Sequence, residues 1–284
     1  MNNCPCSLGL RNRLPISESR RDPIGLLSIW AGIEFGLLAG CRNVCLEWNG
    51  SLMLEIPTKG LYVSGTDTDI GKTYVACLVA RSLCKQGHRV GVYKPVASGG
   101  SRVDEEVVAA DALALQEAAG LSRSLSAICP QVFEAPLAPP VAAAAEGRAV
   151  DREMLRQGLT YWSDKCDVVI VEGVGGLMSP LSDEDCNATL AEEFGYPLVL
   201  VAANRLGVIH HAVQTLIAAA TFGEGIDTAG IILNQVQSAV DGSVSTNREE
   251  LEKRIRVPIL AEVAWQATRF SAPIDWYALA NRNR

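Results

Sequence analysis

The stretch that decides the fold of this chain is Gly65-Thr66-Asp67-Thr68-Asp69-Ile70-Gly71-Lys72-Thr73. It follows a short apolar run, residues 61–64, and opens an amphipathic stretch that extends to Gln86. A glycine-bounded loop that joins a strand to a helix and ends in Gly-Lys-Thr is typical of a phosphate-binding loop. In such a loop the backbone N–H groups face the phosphates, Lys72 meets the β and γ oxygens, and the Thr73 hydroxyl can coordinate Mg²⁺. The stretch therefore predicts a nucleoside triphosphate site.

Short apolar runs alternate with longer amphipathic stretches from Gly60 onward. We predict strands at 61–64, 89–93, 168–171, 198–202, 230–233 and 259–260, and helices at 72–86, 104–119, 151–163, 207–222 and 246–255. Continuous apolar strands separated by helices indicate a parallel sheet covered on both faces. The expected fold class is α/β, a three-layer P-loop NTPase fold with a mostly parallel central sheet, formed as one domain by residues 59–284. Right-handed crossovers bring all strand carboxyl ends to one edge, where ligands bind.

Composition and charge narrow the function classes. The chain has 284 residues, 48% of them hydrophobic, and a net charge of −7, which gives no electrostatic footprint for nucleic acid. Nine cysteines, an odd number at irregular spacings, argue against a disulfide scaffold. Four of them, at positions 4, 6, 41 and 45, have no accompanying histidine at a recurring spacing, which disfavours a zinc site. ATP use and unpaired thiols predict a cytoplasmic protein without a membrane span.

The N-terminal segment, residues 1–58, has no pattern that connects to the rest of the chain. We predict an extension that is disordered or arises from a misassigned start, because a protein that began at Met53 would lack nothing the fold needs. Two alternatives stay open. The segment has a local role, or it is a targeting signal, since Leu38-Ala39-Gly40-Cys41 after an apolar run is similar to a lipoprotein cleavage site.

Further motifs follow the predicted strands. They are Tyr93-Lys94-Pro95-Val96-Ala97-Ser98-Gly99, Asp111-Ala112-Leu113-Ala114-Leu115-Gln116, Val171-Glu172-Gly173-Val174-Gly175-Gly176, Pro180-Leu181-Ser182-Asp183 and Leu206-Gly207. Together with the phosphate loop, whose first glycine lies one residue earlier than in the generic motif, they resemble the dethiobiotin synthetase family across residues 60–265. The resemblance implies ATP-dependent ring closure in biotin synthesis. CO2 adds to an amine of 7,8-diaminononanoate, ATP phosphorylates the carbamate, and the second amine closes the ureido ring. It also implies Mg²⁺ as cofactor and a homodimer.

The chemistry that the family carries out needs fixed positive charge, because a carbamate anion must approach the γ-phosphate in a water-poor site. Lys72 and Lys94 are the expected catalytic residues, and Lys94 follows a strand at the ligand edge. The resemblance implies a Mg²⁺ site formed by Thr73, Asp111 and Glu172, whose oxygen atoms suit that ion. Glu172 follows four apolar strand residues, where a carboxylate without a cation would be costly.

The same resemblance assigns the remaining contacts. ATP contacts are expected from Asp69, Ile70, Gly71, Lys72, Thr73, Tyr74, Asp111, Glu172, Gly173, Val174, Gly175, Asn234, Gln235, Ala264, Trp265 and Gln266. Substrate contacts are expected from Thr68, Ser98, Leu206 and Gly207, the last two holding the substrate carboxylate at a helix N-terminus across the dimer interface. The Asn234 amide offers the donor and the acceptor that an adenine edge requires. Gln235 and Ala264 depart from the family, which has Asp and Pro there.

Three other functions fit a P-loop fold. A nucleotide-switch ATPase of the partition or division-site kind carries a second lysine five residues before the P-loop lysine, where this chain has Asp67. An amidation enzyme of cofactor synthesis adds a glutamine-hydrolysing domain, for which residues 266–284 are too few. A non-catalytic paralogue has no chemical need for Lys72, Lys94 and Glu172 together.

Overall fold

A computed structural model of the chain describes residues 55–239 and 241–282. The predictions made for the N-terminal segment, including the cleavage site at Cys41 and the start at Met53, lie outside the described residues. None of the helices within the described ranges is long and apolar enough to cross a membrane.

In the part of the chain that the structure describes, ten strands form one large and two small sheets. The strands are β1 Gly60–Gly65, β2 Val90–Tyr93, β3 Ala97–Ser98, β4 Ser101–Val103, β5 Glu106–Val108, β6 Val132–Phe133, β7 Val168–Gly176, β8 Leu198–Ala203, β9 Thr228–Asn234 and β10 Ile259–Val263. The large sheet has the order β10-β9-β8-β1-β7-β2, and every pairing in it is parallel. The predicted parallel sheet of an α/β fold is thereby confirmed.

Helices cover the sheet. They are α1 Lys72–Lys85, α2 Ala110–Ala118, α3 Leu125–Ile128, α4 Pro139–Ala145, α5 Arg152–Gln157, α6 Asn187–Phe194, α7 Val208–Thr221, α8 Val244–Glu252 and α9 Trp276–Ala280, with a 3₁₀ helix at Gly158–Trp162. Strands β1 and β8 are buried along their whole length, as expected for central strands that have helices packed on both faces. The core therefore lies on either side of these strands.

The helix predicted at 104–119 is wrong in its first part. Residues 101–108 form an antiparallel hairpin of β4 and β5, and α2 begins only at Ala110. Asp104 adopts a left-handed φ of 56°, which turns the chain, and the β-branched Val107 and Val108 suit a strand better than a helix.

The helix predicted at 151–163 changes type midway. The α-helix α5 ends at Gln157, and a 3₁₀ helix continues to Trp162. The Tyr93 hydroxyl lies 3.0 Å from the carbonyls of Met154 and Leu155 and donates a hydrogen bond there. Because Tyr93 also packs against Gly158, the regular helical turn is tightened at this point.

The strand predicted at 168–171 is longer than expected. Strand β7 runs on to Gly176, so Glu172 lies inside the strand and not after it. Pairing with β1 continues through Val63 opposite Glu172 and, after a shift in register, Gly65 opposite Gly176. The end of β7 is consequently held beside the start of the phosphate loop.

Candidate functional site

The phosphate loop lies at the carboxyl edge of the large sheet, between β1 and α1. Gly71 precedes α1 with a left-handed φ of 82°, and a Cβ there would lie 2.2 Å from Nδ2 of Asn234. Both facts require glycine at this position. No side chain of the described residues caps the N-terminus of α1, so its first N–H groups stay available to an anion.

A cavity of about 470 Å³ opens beside this loop. It is lined by Thr68, Asp69, Gly71, Lys72, Thr73, Tyr74, Lys94, Ala97, Ser98, Asp111, Glu172, Val174 and Gly175. Both predicted catalytic lysines therefore face the same space. Lys72 is 7% exposed, and its ammonium group donates to the Asp67 carbonyl at 2.9 Å.

Lys94 lies at the centre of a buried ionic cluster. Its Nζ is 2.8 Å from Glu172 Oε1 and 2.8 Å from Asp111 Oδ2. The Thr73 hydroxyl donates to the same Glu172 oxygen at 2.6 Å. Lys94 directly follows β2, whose Tyr93 pairs with Val171 of β7, so the parallel register brings Lys94 and Glu172 together.

The cluster fixes the charge states of its members. Burial alone would lower the pKa of Lys94, but Glu172 and Asp111 outweigh it and raise that pKa. Burial alone would raise the pKa of Asp111, but the attraction and hydrogen bond of Lys94, together with Thr73 and Lys72, outweigh it and lower that pKa. Burial lowers the pKa of Lys72, and the nearby Lys94 lowers it further against the opposing effect of Glu172. Lys72 is thus the more readily neutralised of the two lysines.

The oxygen atoms of this cluster fit a divalent cation bound together with phosphate. Thr73, Asp111 and Glu172 all line the cavity and contact one another or Lys94. The second carboxylate oxygen of Glu172, Oε2, is buried and has no hydrogen-bond partner. Two carboxylates and one hydroxyl leave coordination positions for water and phosphate oxygens, as Mg²⁺ prefers.

A smaller cavity of about 240 Å³ adjoins the phosphate cavity. The two share Asp69, Gly71 and Tyr74, and the smaller one adds Asn234, Gln235, Val236, Trp265 and Gln266. Nδ2 of Asn234 donates to the Ile70 carbonyl at 2.8 Å, whereas its Oδ1 is buried without a partner. One hydrogen of Nδ2 is therefore engaged by the phosphate loop, and Oδ1 is available as an acceptor for a base. Apolar walls and one acceptor suit a nucleotide base.

Several of the expected residues do not line either cavity. The side chain of Ile70, within the phosphate loop, is buried, and Gly173 packs against Asn187. Ala264 lines a separate groove beside α1. Leu206 and Gly207 precede α7 outside both cavities. Leu206 is 82% exposed, and its N–H donates to Asp241 at 3.0 Å.

Sequence reasoning missed two residues that hold the cavity wall. Asn187 and Ser179 bond to the backbone of Gly173–Gly176, the segment that supplies Val174 and Gly175 to the cavity. Both residues are hard to predict from the sequence. A buried asparagine must form hydrogen bonds through its amide, but the sequence does not show which backbone groups are its partners.

The chain is similar to known proteins over most of its length. The model of the AAA domain family matches residues 59–269. The chain is 45% identical over 213 residues to the ATP-dependent dethiobiotin synthetase of Rhodopirellula baltica, covering 71% of this chain and 82% of that protein. It is 36% identical over 210 residues to ATP-dependent dethiobiotin synthetase 1 of Salmonella typhi, covering 73% and 90%. Among solved structures, a ParA family ATPase from Chlorobium tepidum superposes with a TM-score of 0.46 at 19% identity, covering 75% and 85%. With these relatives similar over most of both chains, this protein belongs to the AAA domain family and, within it, to the ATP-dependent dethiobiotin synthetases.

Proposed function

We propose that this chain converts 7,8-diaminononanoate, CO2 and ATP into dethiobiotin, ADP and phosphate, as a ligase of biotin biosynthesis. One observation carries the proposal: the ammonium groups of Lys72 and Lys94 face the same cavity. A carbamate and a triphosphate are both anions, and their approach in a site of low dielectric needs fixed positive charge. Membership of the dethiobiotin synthetase family supports the same reaction.

ATP occupies the two adjoining cavities in this account. The triphosphate lies against the N-terminus of α1 and Lys72, and the base enters the apolar cavity beside Asn234 and Trp265. Tyr74, which lines both cavities, lies between the phosphates and the base. The acceptor Oδ1 of Asn234 matches a base that carries an exocyclic amino group.

The carbamate lies next to Lys94. One amine of the diamine attacks CO2, forming a C–N bond and releasing a proton. A carbamate oxygen then attacks the γ-phosphorus, and ADP leaves with the electron pair of the broken P–O bond. Lys94 and Lys72 offset the negative charge that gathers between the two anions. Ser98 and Thr68 line the same cavity and donate hydrogen bonds to the carbamate region.

Ring closure needs only the orientation of the second amine. It attacks the carbonyl carbon of the carbamoyl phosphate, and phosphate leaves with the electron pair of the C–O bond and takes up the proton that the amine loses. Both amines belong to one molecule, so the step is intramolecular, and the walls of the cavity hold the second nitrogen atom close to the carbonyl carbon. We propose that Thr73, Asp111 and Glu172 hold Mg²⁺. When bound, this ion neutralises phosphate charge and orients the β and γ oxygens.

The carboxylate end of the substrate requires a further surface. We propose that Leu206 and Gly207 of a second copy supply it in a homodimer, because these residues lie outside the cavities of their own chain. The N-terminus of α7 follows Gly207 and favours an anion. We also propose a cytoplasmic location, to which the free thiols of residues 77, 84, 129, 166 and 186 are suited.

Incubation of the protein with ATP, Mg²⁺, bicarbonate and 7,8-diaminononanoate tests the proposal. We expect a ureido product of the mass of dethiobiotin and one phosphate per product, both lost in the Lys94→Met variant. Phosphate release that requires a different acid, with no ureido product from the diamine, would refute it.

A further inference from the structure

One wall of the cavity, beside the phosphate loop, is a glycine-rich backbone segment, residues 173–176, at the end of β7. Val174 and Gly175 of this segment line the cavity together with Lys72 and Thr73. Gly175 has a left-handed φ of 68°. Because glycine adopts this and other backbone conformations freely, the position of the segment depends on contacts from other residues. The contacts that fix it come from outside the cavity.

Asn187, the first residue of α6, makes most of these contacts. It is fully buried, and its Nδ2 lies 2.6 Å from the Val174 carbonyl and 2.8 Å from the Gly176 carbonyl. Its Oδ1 accepts from the Val174 N–H at 2.9 Å and from the Tyr62 hydroxyl at 3.3 Å. One side chain therefore bonds to both the N–H and the carbonyl of Val174, which restrains the two peptide groups on either side of this residue.

Ser179 completes the attachment from the other end of the segment. Its hydroxyl accepts from the Gly176 N–H at 2.8 Å, and its carbonyl accepts from the Asn187 N–H at 3.2 Å. Ser179 and Asn187 thus hold each other as well as the segment. The cavity wall is therefore held by α6, and through the Tyr62–Asn187 bond by β1, in addition to the strand pairing of β7.

The chain that leads to Asn187 is held by ionic contacts of a buried carboxylate. Asp185, whose side chain is 1% exposed, bonds to Arg152 at 2.7 Å and to Arg156 at 2.9 Å, both on α5. Its carboxylate also accepts from the Ser182 hydroxyl at 2.8 Å. The start of α6 consequently cannot shift without breaking a buried ionic contact.

We propose that Asn187 is a positioning residue for phosphoryl transfer: it sets the backbone of Gly173–Gly176 against the terminal phosphate of a nucleoside triphosphate. The inference rests on the proposed function only for the molecule that accepts the phosphoryl group. The expected effect on nucleotide binding does not depend on it. A diphosphate lacks the group that this wall faces. Loss of Asn187 therefore weakens triphosphate binding and transfer and spares diphosphate binding.

Two variants of Asn187 and one of Ser179 test the proposal. Asn187→Asp keeps the shape but turns a carboxylate oxygen toward carbonyl oxygens, and Asn187→Ala removes all the bonds. Ser179→Ala removes a single acceptor at a half-buried position. We expect this variant to fold even if the Asn187 variants do not. The control is Asn247→Ala, because Asn247 is also buried and bonded through Nδ2 to Asn204, at 2.8 Å, but lies on α8 outside both cavities.

The readouts are kcat for ureido product and calorimetric affinities for ADP and for a non-hydrolysable ATP analogue. We expect the Asn187 variants to lose roughly 100-fold in kcat, as misplacement of a reacting group costs. They should lose about tenfold in affinity for the analogue and stay within about threefold for ADP, with Ser179→Ala changing in the same direction by less. Asn247→Ala should lower the unfolding temperature without changing the ratio of the two affinities.

Equal losses for ADP and the ATP analogue, or an unchanged kcat in Asn187 variants that fold, would overturn the proposal. If those variants do not fold, an unchanged affinity ratio in Ser179→Ala overturns it. The binding ratio needs no diamine substrate. If no ureido product forms but the ratio of the two nucleotide affinities changes as expected, the proposed function is wrong and the positioning role still holds.

Discussion

The Nζ of Lys94 lies 2.8 Å from Oε1 of Glu172, and both side chains are almost completely buried, at 3% and 1% exposure. Asp111 adds a second carboxylate at the same distance from Nζ, but its side chain is 44% exposed. A buried charge is tolerated only when a partner of opposite charge stays beside it. The free energy of unfolding should therefore depend on which cations lie beside these two carboxylates.

Removing the lysine of this cluster should destabilise the protein in a metal-dependent way. In Lys94→Met, Glu172 and Asp111 lose their cation, and we expect a loss of about 3 kcal/mol in the free energy of unfolding without divalent ions. Mg²⁺ should restore a large part of it, because the ion supplies the missing charge. Thermal unfolding with and without Mg²⁺ measures this. An identical loss in both conditions would contradict the account. Lys165→Met, at the exposed pair with Asp164, should cost less than about 1 kcal/mol.

Lys72 should be required for ATP turnover but not for folding. Its only hydrogen bond within the described residues runs to the Asp67 carbonyl, so Lys72→Ala breaks no ion pair of the core. We expect ATP turnover to fall at least roughly 1,000-fold, with an unchanged circular dichroism spectrum. Lys253→Ala, at the exposed residue that directly follows α8, should keep full turnover. Undiminished turnover in Lys72→Ala would remove this cavity as the ATP site.

Nucleotide binding should be coupled to proton uptake at alkaline pH. Because burial lowers the pKa of Lys72, this lysine loses its proton at lower pH than an ordinary lysine. A bound triphosphate favours the charged form and raises that pKa, so a proton is taken up on binding and affinity falls as pH rises. Titration calorimetry in two buffers of different ionisation enthalpy measures the uptake. It should vanish in Lys72→Arg, whose guanidinium stays charged. The same uptake in that variant would assign the proton to another group.

Asp185 should contribute stability that disappears in acid. Its pKa lies below the usual value, because the bonds from Arg152 and Arg156 outweigh burial. A carboxylate with a lowered folded pKa stabilises the protein above its unfolded pKa, about 3.9, and loses this contribution as pH falls through the folded pKa.

Asp185→Asn tests that contribution. We expect a loss of about 2 kcal/mol at pH 7, less than for a fully buried pair because Arg152 is 45% exposed. Urea unfolding at a series of pH values should show the two proteins converging as the pH falls below the unfolded value. A constant difference across the series would contradict the linkage.

The sequence alone predicted those parts of the fold and site that depend on local chemistry or on strand order. Gly-Lys-Thr between an apolar run and an amphipathic stretch located the phosphate loop. The carboxyl ends of parallel strands meet at one edge, which brought Lys94 and Glu172 together across β2 and β7. These features can be predicted without knowing how the side chains pack.

Other features depend on contacts that the pattern does not encode. The hairpin at 101–108 lies where a helix was predicted, because Val107 and Val108 pair with strand β4. The role of Asn187 was missed because its partners, Val174 and Gly176, lie 13 and 11 residues away. The bond from Nδ2 of Asn234 to the Ile70 carbonyl was not predicted, because the two residues are 164 positions apart in the chain.

The most direct test of carbamate phosphorylation follows oxygen from CO2 to phosphate. Brief reaction with ¹⁸O-labelled bicarbonate, unlabelled ATP, Mg²⁺ and 7,8-diaminononanoate in unlabelled water should give phosphate that carries one ¹⁸O, because a carbamate oxygen attacks phosphorus and leaves with it. The ureido product should retain the other labelled oxygen. Phosphate that forms at the rate of the ureido product but carries no label would contradict the account, since phosphorus would then have been attacked by another nucleophile.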